Sequence, residues 1–329
     1  MIYIKPSFYD DFKCIASKCT DNCCVGWEID VDENTFQKYN ELNTPVGDEI
    51  RSKITTSEDG SKCFSLAEND RCPFLDENNL CRIIINCGED ALCDICKKHP
   101  RFYEWFPGVT ECGLGLSCEE VCRILLSDEN HFTLLEENNG EPIELESKED
   151  TVISDSYIFI SALREKLFDI LFSADKTYYE KLEMACLSAQ RFCGEDLPLR
   201  NNKEIIEAYA NTEPIDDDWV VYIEDLRNNF DEYSLKRKEF KEQYKNDKLY
   251  PRILAYIFYR HLTKAAFDGD VLSRICFCLE SVKFIELCDM KTYCNKGTLS
   301  LADRIENLKN WSKQTEYSEE NTDYLIYGD

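Results

Sequence analysis

The sequence predicts a mainly α protein in two parts, an irregular cysteine-rich metal-binding domain followed by an all-α helical domain. Three observations carry this. Thirteen of the 19 cysteines fall between Cys14 and Cys122. Beyond about residue 151 the apolar residues recur at helical spacing. Between these parts lies an acidic stretch, residues 127–150.

A chain of 329 residues with 43% hydrophobic and 12% aromatic content has enough apolar surface for a real core. Its start, MIYIKPSFYDDF, lacks a basic segment followed by an apolar run, so the expectation is a cytoplasmic protein without a secretory signal. No window reaches the ~18 apolar residues of a membrane span. In a reducing compartment the cysteines are expected as thiols, and their odd number also argues against a disulfide framework. A net charge of −27 excludes nucleic-acid binding through clustered Lys and Arg, and suits a basic partner such as a lysine-bearing protein surface.

The first domain is placed at residues 1–126. Asp32 reads as the N-cap of a helix carrying Phe36, Tyr39 and Leu42 on one face. Residues 62–80 and 85–113 read as irregular, which predicts a segment folded around metal instead of a continuous apolar core. Another helix is expected from Ser117 or Cys118 through Leu126. In the connector, residues 132–135 and 142–145 are expected to form a hairpin across residues 138–141.

The helical domain is placed at 151–315. Ile160, Leu163, Leu167 and Leu171 recur at helical spacing, as do Ile253, Ile257 and Leu262, and then Leu272, Ile275, Leu279 and Val282. Ser300 with Asp303 is a capping box opening a helix through Trp311. Residues 316–329 read as a mobile acidic tail. Cys186, Cys193, Cys276, Cys278, Cys288 and Cys294 lie in helical sequence, where free cysteine behaves as a small buried hydrophobe.

The candidate ligands are Cys14, Cys19, Cys23, Cys24, Cys72, Cys81, Cys93, Cys96 and Cys118. Cys14-x4-Cys19-x3-Cys23-Cys24 places four thiols in eleven residues separated by polar turn residues. A tetrahedral thiolate site or an iron–sulfur cluster takes four sulfurs, and ligand softness permits both zinc and iron. Only Cys93-x2-Cys96 has zinc-knuckle spacing, and the adjacent pair Cys23-Cys24 is atypical of a knuckle. An iron–sulfur cluster is therefore favoured, with Zn²⁺ the alternative. The radical-type C-x3-C-x2-C triplet fails because the residue three after Cys23 is Gly26.

The ordered string C-x4-C-x3-CC-x-G-W-x-I-x-x-D, then C-x-F-L…L-C, then C-x-x-x-P-R and S-C-x-E, resembles the flagellin lysine-N-methylase family. The matching residues run from Cys14 through Gly26, Trp27, Ile29 and Asp32, then Cys72, Phe74, Leu75, Leu80 and Cys81. Cys96, Pro100, Arg101, Ser117, Cys118 and Glu120 complete the string. The likeness is close over residues 3–127 and one of character beyond. It implies methyl transfer from S-adenosylmethionine to surface lysines of a protein substrate such as flagellin, with a 4Fe–4S cluster in the same chain.

No glycine-rich S-adenosylmethionine loop follows a strand, and Gly113-Leu-Gly115 reads as a turn. The chemistry also makes a demand: neutralising a lysine at pH 7 costs about 4.6 kcal/mol, from about 3.4 pKa units. Beside Cys96, the segment 97–107 offers His99 as a base and Tyr103 and Trp105 as aromatic walls. Tyr103 and His99 are the catalytic candidates, and Arg101 is the candidate for binding the cofactor. The rival function is a non-enzymatic zinc- or iron-binding interaction module; an electron carrier ranks third because no redox partner domain is evident.

Overall fold

The computed structural model describes residues 1–26, 29–57, 60–127, 132–140 and 147–328. Among them the chain is mainly helical, with sixteen α-helices and six strands. The strands are β1 (Ile2–Pro6), β2 (Ile54–Thr56), β3 (Lys62–Phe64), β4 (Arg101–Phe106), β5 (Val109–Leu114) and β6 (Leu134–Asn138). Two compact units form. The smaller comprises Lys13–Phe102 with Cys118–Glu120; the larger comprises Met1–Phe12, Tyr103–Ser117 and Val121–Asp329.

In the smaller unit Asp32 caps the helix Glu33–Glu41 as expected, accepting from the Thr35 N–H at 2.9 Å. Thr44 caps Pro45–Ser52 in the same way, and β2 pairs antiparallel with β3. Contrary to expectation, an apolar core exists here. Ile29, Val31, Tyr39, Ile50, Phe64, Phe74 and Ile83 form one buried cluster, and Cys72 and Cys93 belong to it. Nor is 85–113 irregular: it holds the helix Asp94–Lys98 and strands β4 and β5.

The larger unit carries a four-stranded sheet in the order β4-β5-β1-β6. β1 runs parallel to β5 and antiparallel to β6. The connector thus supplies a strand whose partner is β1. The expected partner, residues 142–145, lies outside the described residues.

Helices fill the rest of this unit. Val271–Lys296 is central, with 17 of its 26 residues buried, and packs on Leu249–His261, Leu301–Glu316, Glu319–Tyr327 and Asn202–Ala210. Ile160, Leu163, Leu167 and Leu171 are buried on Lys148–Leu171, as are Ile253, Ile257, Ile275, Leu279 and Val282 on the later helices. Cys276, Cys278 and Cys288 are buried there, as small hydrophobes would be. The Ser300–Asp303 capping box is formed, and its helix runs to Glu316, past Trp311. The expected tail is instead the helix Glu319–Tyr327, capped by Ser318 and anchored by buried Leu325 and Ile326. Among the described residues no helix is long and apolar enough to cross a membrane.

Charged groups are buried in this unit as ion pairs backed by hydroxyl donors. Glu111 on β5 pairs with Arg164 at 2.6 Å and accepts from the Tyr157 hydroxyl at 2.7 Å and the Thr263 hydroxyl at 2.9 Å. Glu316 takes Arg260 at 3.1 Å and His261 at 3.0 Å. Burial depresses the His261 pKa from 6.5 to about 4, against the pull of Glu316. The folded imidazole therefore stays neutral where the unfolded one gains a proton. Its contribution is complete above pH 6.5, falls away between pH 6.5 and 4, and changes no further below. The loss is of the order of 3 kcal/mol, at about 1.4 per pH unit. Urea unfolding of His261→Gln across that window should show a flatter pH dependence than wild type.

Candidate metal centre

The thiols of the smaller unit are drawn together by short backbone ladders. Val25 bridges Arg71 antiparallel, with Cys72 N–H donating to the Cys24 carbonyl at 2.8 Å and Gly26 N–H to that of Asp70 at 3.0 Å. Gly26 sits at φ +86°, a conformation that disfavours side chains with a Cβ. This ladder sets Cys24 beside Cys72. The Asp76 carboxylate, accepting from the Asn78 and Leu80 N–H groups at 2.8 Å each, then turns the chain so that Cys81 bridges Leu75. Cys93 precedes the helix Asp94–Lys98. The second oxygen of Asp32 accepts from the Asp94 N–H at 2.9 Å, so one carboxylate fastens two helix starts.

The result is a neighbourhood of six sulfurs. Cys24 feels the charges of Cys23, Cys72 and Cys96, while Cys96 feels those of Cys93, Cys72 and Cys81. Within each of two close pairs one thiol is held down and the other pushed up. The Cys24 thiol donates to Cys23, holding Cys23 down to about 4 against burial, with further help from His99; Cys24 is correspondingly pushed up. Cys96 likewise donates to Cys93, lowering Cys93 and raising itself. Burial pushes Cys72 up to about 11. A partly buried group of unmetallated thiols cannot hold many negative charges, whereas a soft cation would favour their ionisation.

The other candidates stand in different surroundings. Cys14 is exposed, its sulfur accepting from the Ala16 N–H at 3.4 Å. Cys19 donates to Glu119 at 3.4 Å, and burial raises its thiol to about 11. The same Glu119 oxygen accepts from the Thr20 N–H at 2.7 Å. Cys118 is half-buried, just before the helix Glu119–Leu126. His99 lies against Cys23, Arg101 is half-buried at the start of β4, and Tyr103 falls in the larger unit. The structure thus brings together Cys23, Cys24, Cys72, Cys81, Cys93, Cys96 and His99.

Helical spacing assigns Tyr39 only to an apolar helix face. Its hydroxyl donates to the Ala91 carbonyl at 2.7 Å and lies 3.6 Å from the Cys93 sulfur. Helical spacing placed it in the core but carried no sign of its polar end. Glu119 gave no sequence signal at all.

In donor chemistry the site fits a thiophilic metal or an iron–sulfur cluster. In geometry it is not preassembled: among the described residues no group of three or more His, Cys, Asp or Glu side chains is arranged to hold a metal ion.

No family model matches the chain, and no solved structure matches it. Curated proteins do. The flagellar biosynthetic protein FliU of Salmonella muenchen is 30% identical over 140 residues, covering 41% of this chain and 83% of that protein. The lysine-N-methylases of Salmonella choleraesuis (strain SC-B67) and Salmonella typhimurium (strain LT2) are each 31% identical over 137 residues, or 40% of this chain. The matched region spans only 34% of the length of each methylase. With the cysteine string and a relative matched over most of its length, the chain belongs to the flagellin lysine-N-methylase family.

Proposed function

We propose that the protein is a lysine N-methyltransferase whose substrate is a flagellin-type protein and whose methyl donor is S-adenosylmethionine. The observation carrying this reading is the 31% identity to proteins named lysine-N-methylase. In the reaction, a neutral lysine nitrogen attacks the donor's methyl carbon, the carbon–sulfur bond breaks, S-adenosylhomocysteine leaves, and one proton is released.

A 4Fe–4S cluster held by four of the six convergent cysteines is the second part of the proposal, with Zn²⁺ as the alternative. It is supported by the donor set and by the thiol protons, which cation binding would displace. Such a group would crosslink the short elements that carry its cysteines and keep their sulfurs ionised. The chain's own residues then have separable tasks. His99 orients on the Cys23 side, and Asp32 fastens the Cys93–Cys96 segment. Arg101 remains the candidate for the donor's carboxylate, and Tyr103 for a wall near the reacting amine.

The test is transfer of labelled methyl from S-adenosylmethionine to purified flagellin by anaerobically prepared full-length protein, with iron, zinc and sulfide measured on the same sample. Incorporation at lysine with stoichiometric iron and sulfide is expected. A sample that binds metal, yet neither binds the donor nor labels flagellin or other lysine-rich proteins, would leave only the interaction-module reading.

A further inference from the structure

We propose that the aromatic pair Tyr103–Trp105 on β4, with Tyr9 beside it, takes the lysine side chain of an extended basic polypeptide. The inference deepens the methyltransferase reading and rests on it for the identity of the cation.

Among the described residues β4 is an edge strand of its sheet. Its alternate residues are firmly seated: Phe106 packs between Tyr157 at 4.5 Å and Phe267 at 4.9 Å, and Glu104 pairs with Lys264 at 2.9 Å. Strand alternation therefore sends Tyr103 and Trp105 to the opposite face, a placement fixed by packing. The two rings stack at 6.1 Å with planes 18° apart, and Trp105 is 68% exposed. Tryptophan normally buries most of its large surface, so a stacked, outward indole on a well-anchored strand is suited to a ligand.

The charges beside it select a cation. Tyr9 and Tyr103 join by their hydroxyls at 3.3 Å. Lys5 lies 5.8 Å from the Tyr9 ring centre and is held by Asp10 and Glu137 at 2.8 Å each. Two carboxylates meet one ammonium there, both mostly exposed, on a chain whose net charge is −27. The molecule thus already places one of its own lysines among an aromatic ring and paired acids. A second ammonium over the indole would meet the stacked Tyr103–Trp105 pair in place of that single ring. The edge position adds a way to recognise the partner's backbone, since an extended peptide can pair along an exposed strand.

The test uses the full-length protein and a fluorescent twelve-residue peptide of alternating lysine and threonine, compared with the same peptide carrying norleucine for lysine. Binding is followed by fluorescence anisotropy. Trp105→Ala should raise the Kd for the lysine peptide about three- to thirty-fold, the span expected for a lost cation–π contact, and Trp105→Phe should recover part of it. Thermal melting should be unchanged, because the indole is exposed. Equal binding of the norleucine peptide, or wild-type affinity in Trp105→Ala, overturns the proposal. Peptide binding that depends on Trp105 without any methyl transfer would sink the enzymatic reading and leave this surface standing. Transfer to flagellin with peptide affinity indifferent to Trp105 would do the reverse.

Discussion

Arg164→Met should destabilise the larger unit by about 3–5 kcal/mol, the usual cost of breaking a buried ion pair from one side. Arg164 and Glu111 are each 2% exposed and meet at 2.6 Å. Methionine would fill most of the guanidinium's volume but leave the Glu111 carboxylate with only the Tyr157 and Thr263 hydroxyls. Those two bonds cannot offset burial of a full charge. Glu111→Gln should cost comparably, because it keeps an acceptor for the hydroxyls and strands the arginine. In Glu111→Leu/Arg164→Met the charge penalty disappears on both sides. That variant should recover part of the loss, limited by two hydroxyls left without an acceptor. Equilibrium urea unfolding of the four proteins checks this. A double variant no more stable than Arg164→Met alone would show that the stranded carboxylate is not the source of the loss.

The second large effect concerns metal. Cys24→Ser and Cys96→Ser should each lose most bound iron or zinc and loosen the smaller unit, since both sulfurs stand amid the others. Cys19→Ser should retain metal, because its sulfur is directed to Glu119 and serine can keep that bond. Cys276→Ser, in the central helix of the larger unit, should retain metal and cost only ordinary core packing, about 1–3 kcal/mol. Metal analysis with near-ultraviolet and visible absorbance reads all four. Equal metal content throughout would remove the six-sulfur centre from consideration.

How much of this was legible in the sequence depended on how local the signal was. Asp32 with Glu33–Glu41, and Ser300 with Asp303, are contacts three residues apart, and both were readable as caps. The helices of the larger unit followed from periodic leucines and isoleucines. The sheet did not, because β1 finds its partners more than a hundred residues away and each strand is only five or six residues long. RFYEWF at β4 and VTECGL at β5 carry no clean alternation, so neither announces a strand. Glu111 in particular looks like any surface glutamate until Arg164 is folded over it.

The thiol centre was half visible. Cysteine crowding announced it, yet spacing alone could not separate Cys23, Cys24, Cys72, Cys81, Cys93 and Cys96 from Cys14, Cys19 and Cys118. The separation comes from the Val25–Arg71 bridge and the Glu119 carboxylate, both pairings between distant segments. The apolar cluster around Phe64 and Phe74 was missed for a similar reason: its members are contributed singly by short elements, so no periodic run reveals them.

The place of β1 between β5 and β6 has a consequence for biosynthesis. Both neighbours of residues 2–6, the segments 109–114 and 134–138, are translated at least a hundred residues after them. At about 5–20 residues per second, this leaves an apolar segment without its sheet for about 5–20 s. Throughout that interval its exposed main chain is open to chaperones or to the same segment on a neighbouring nascent polypeptide.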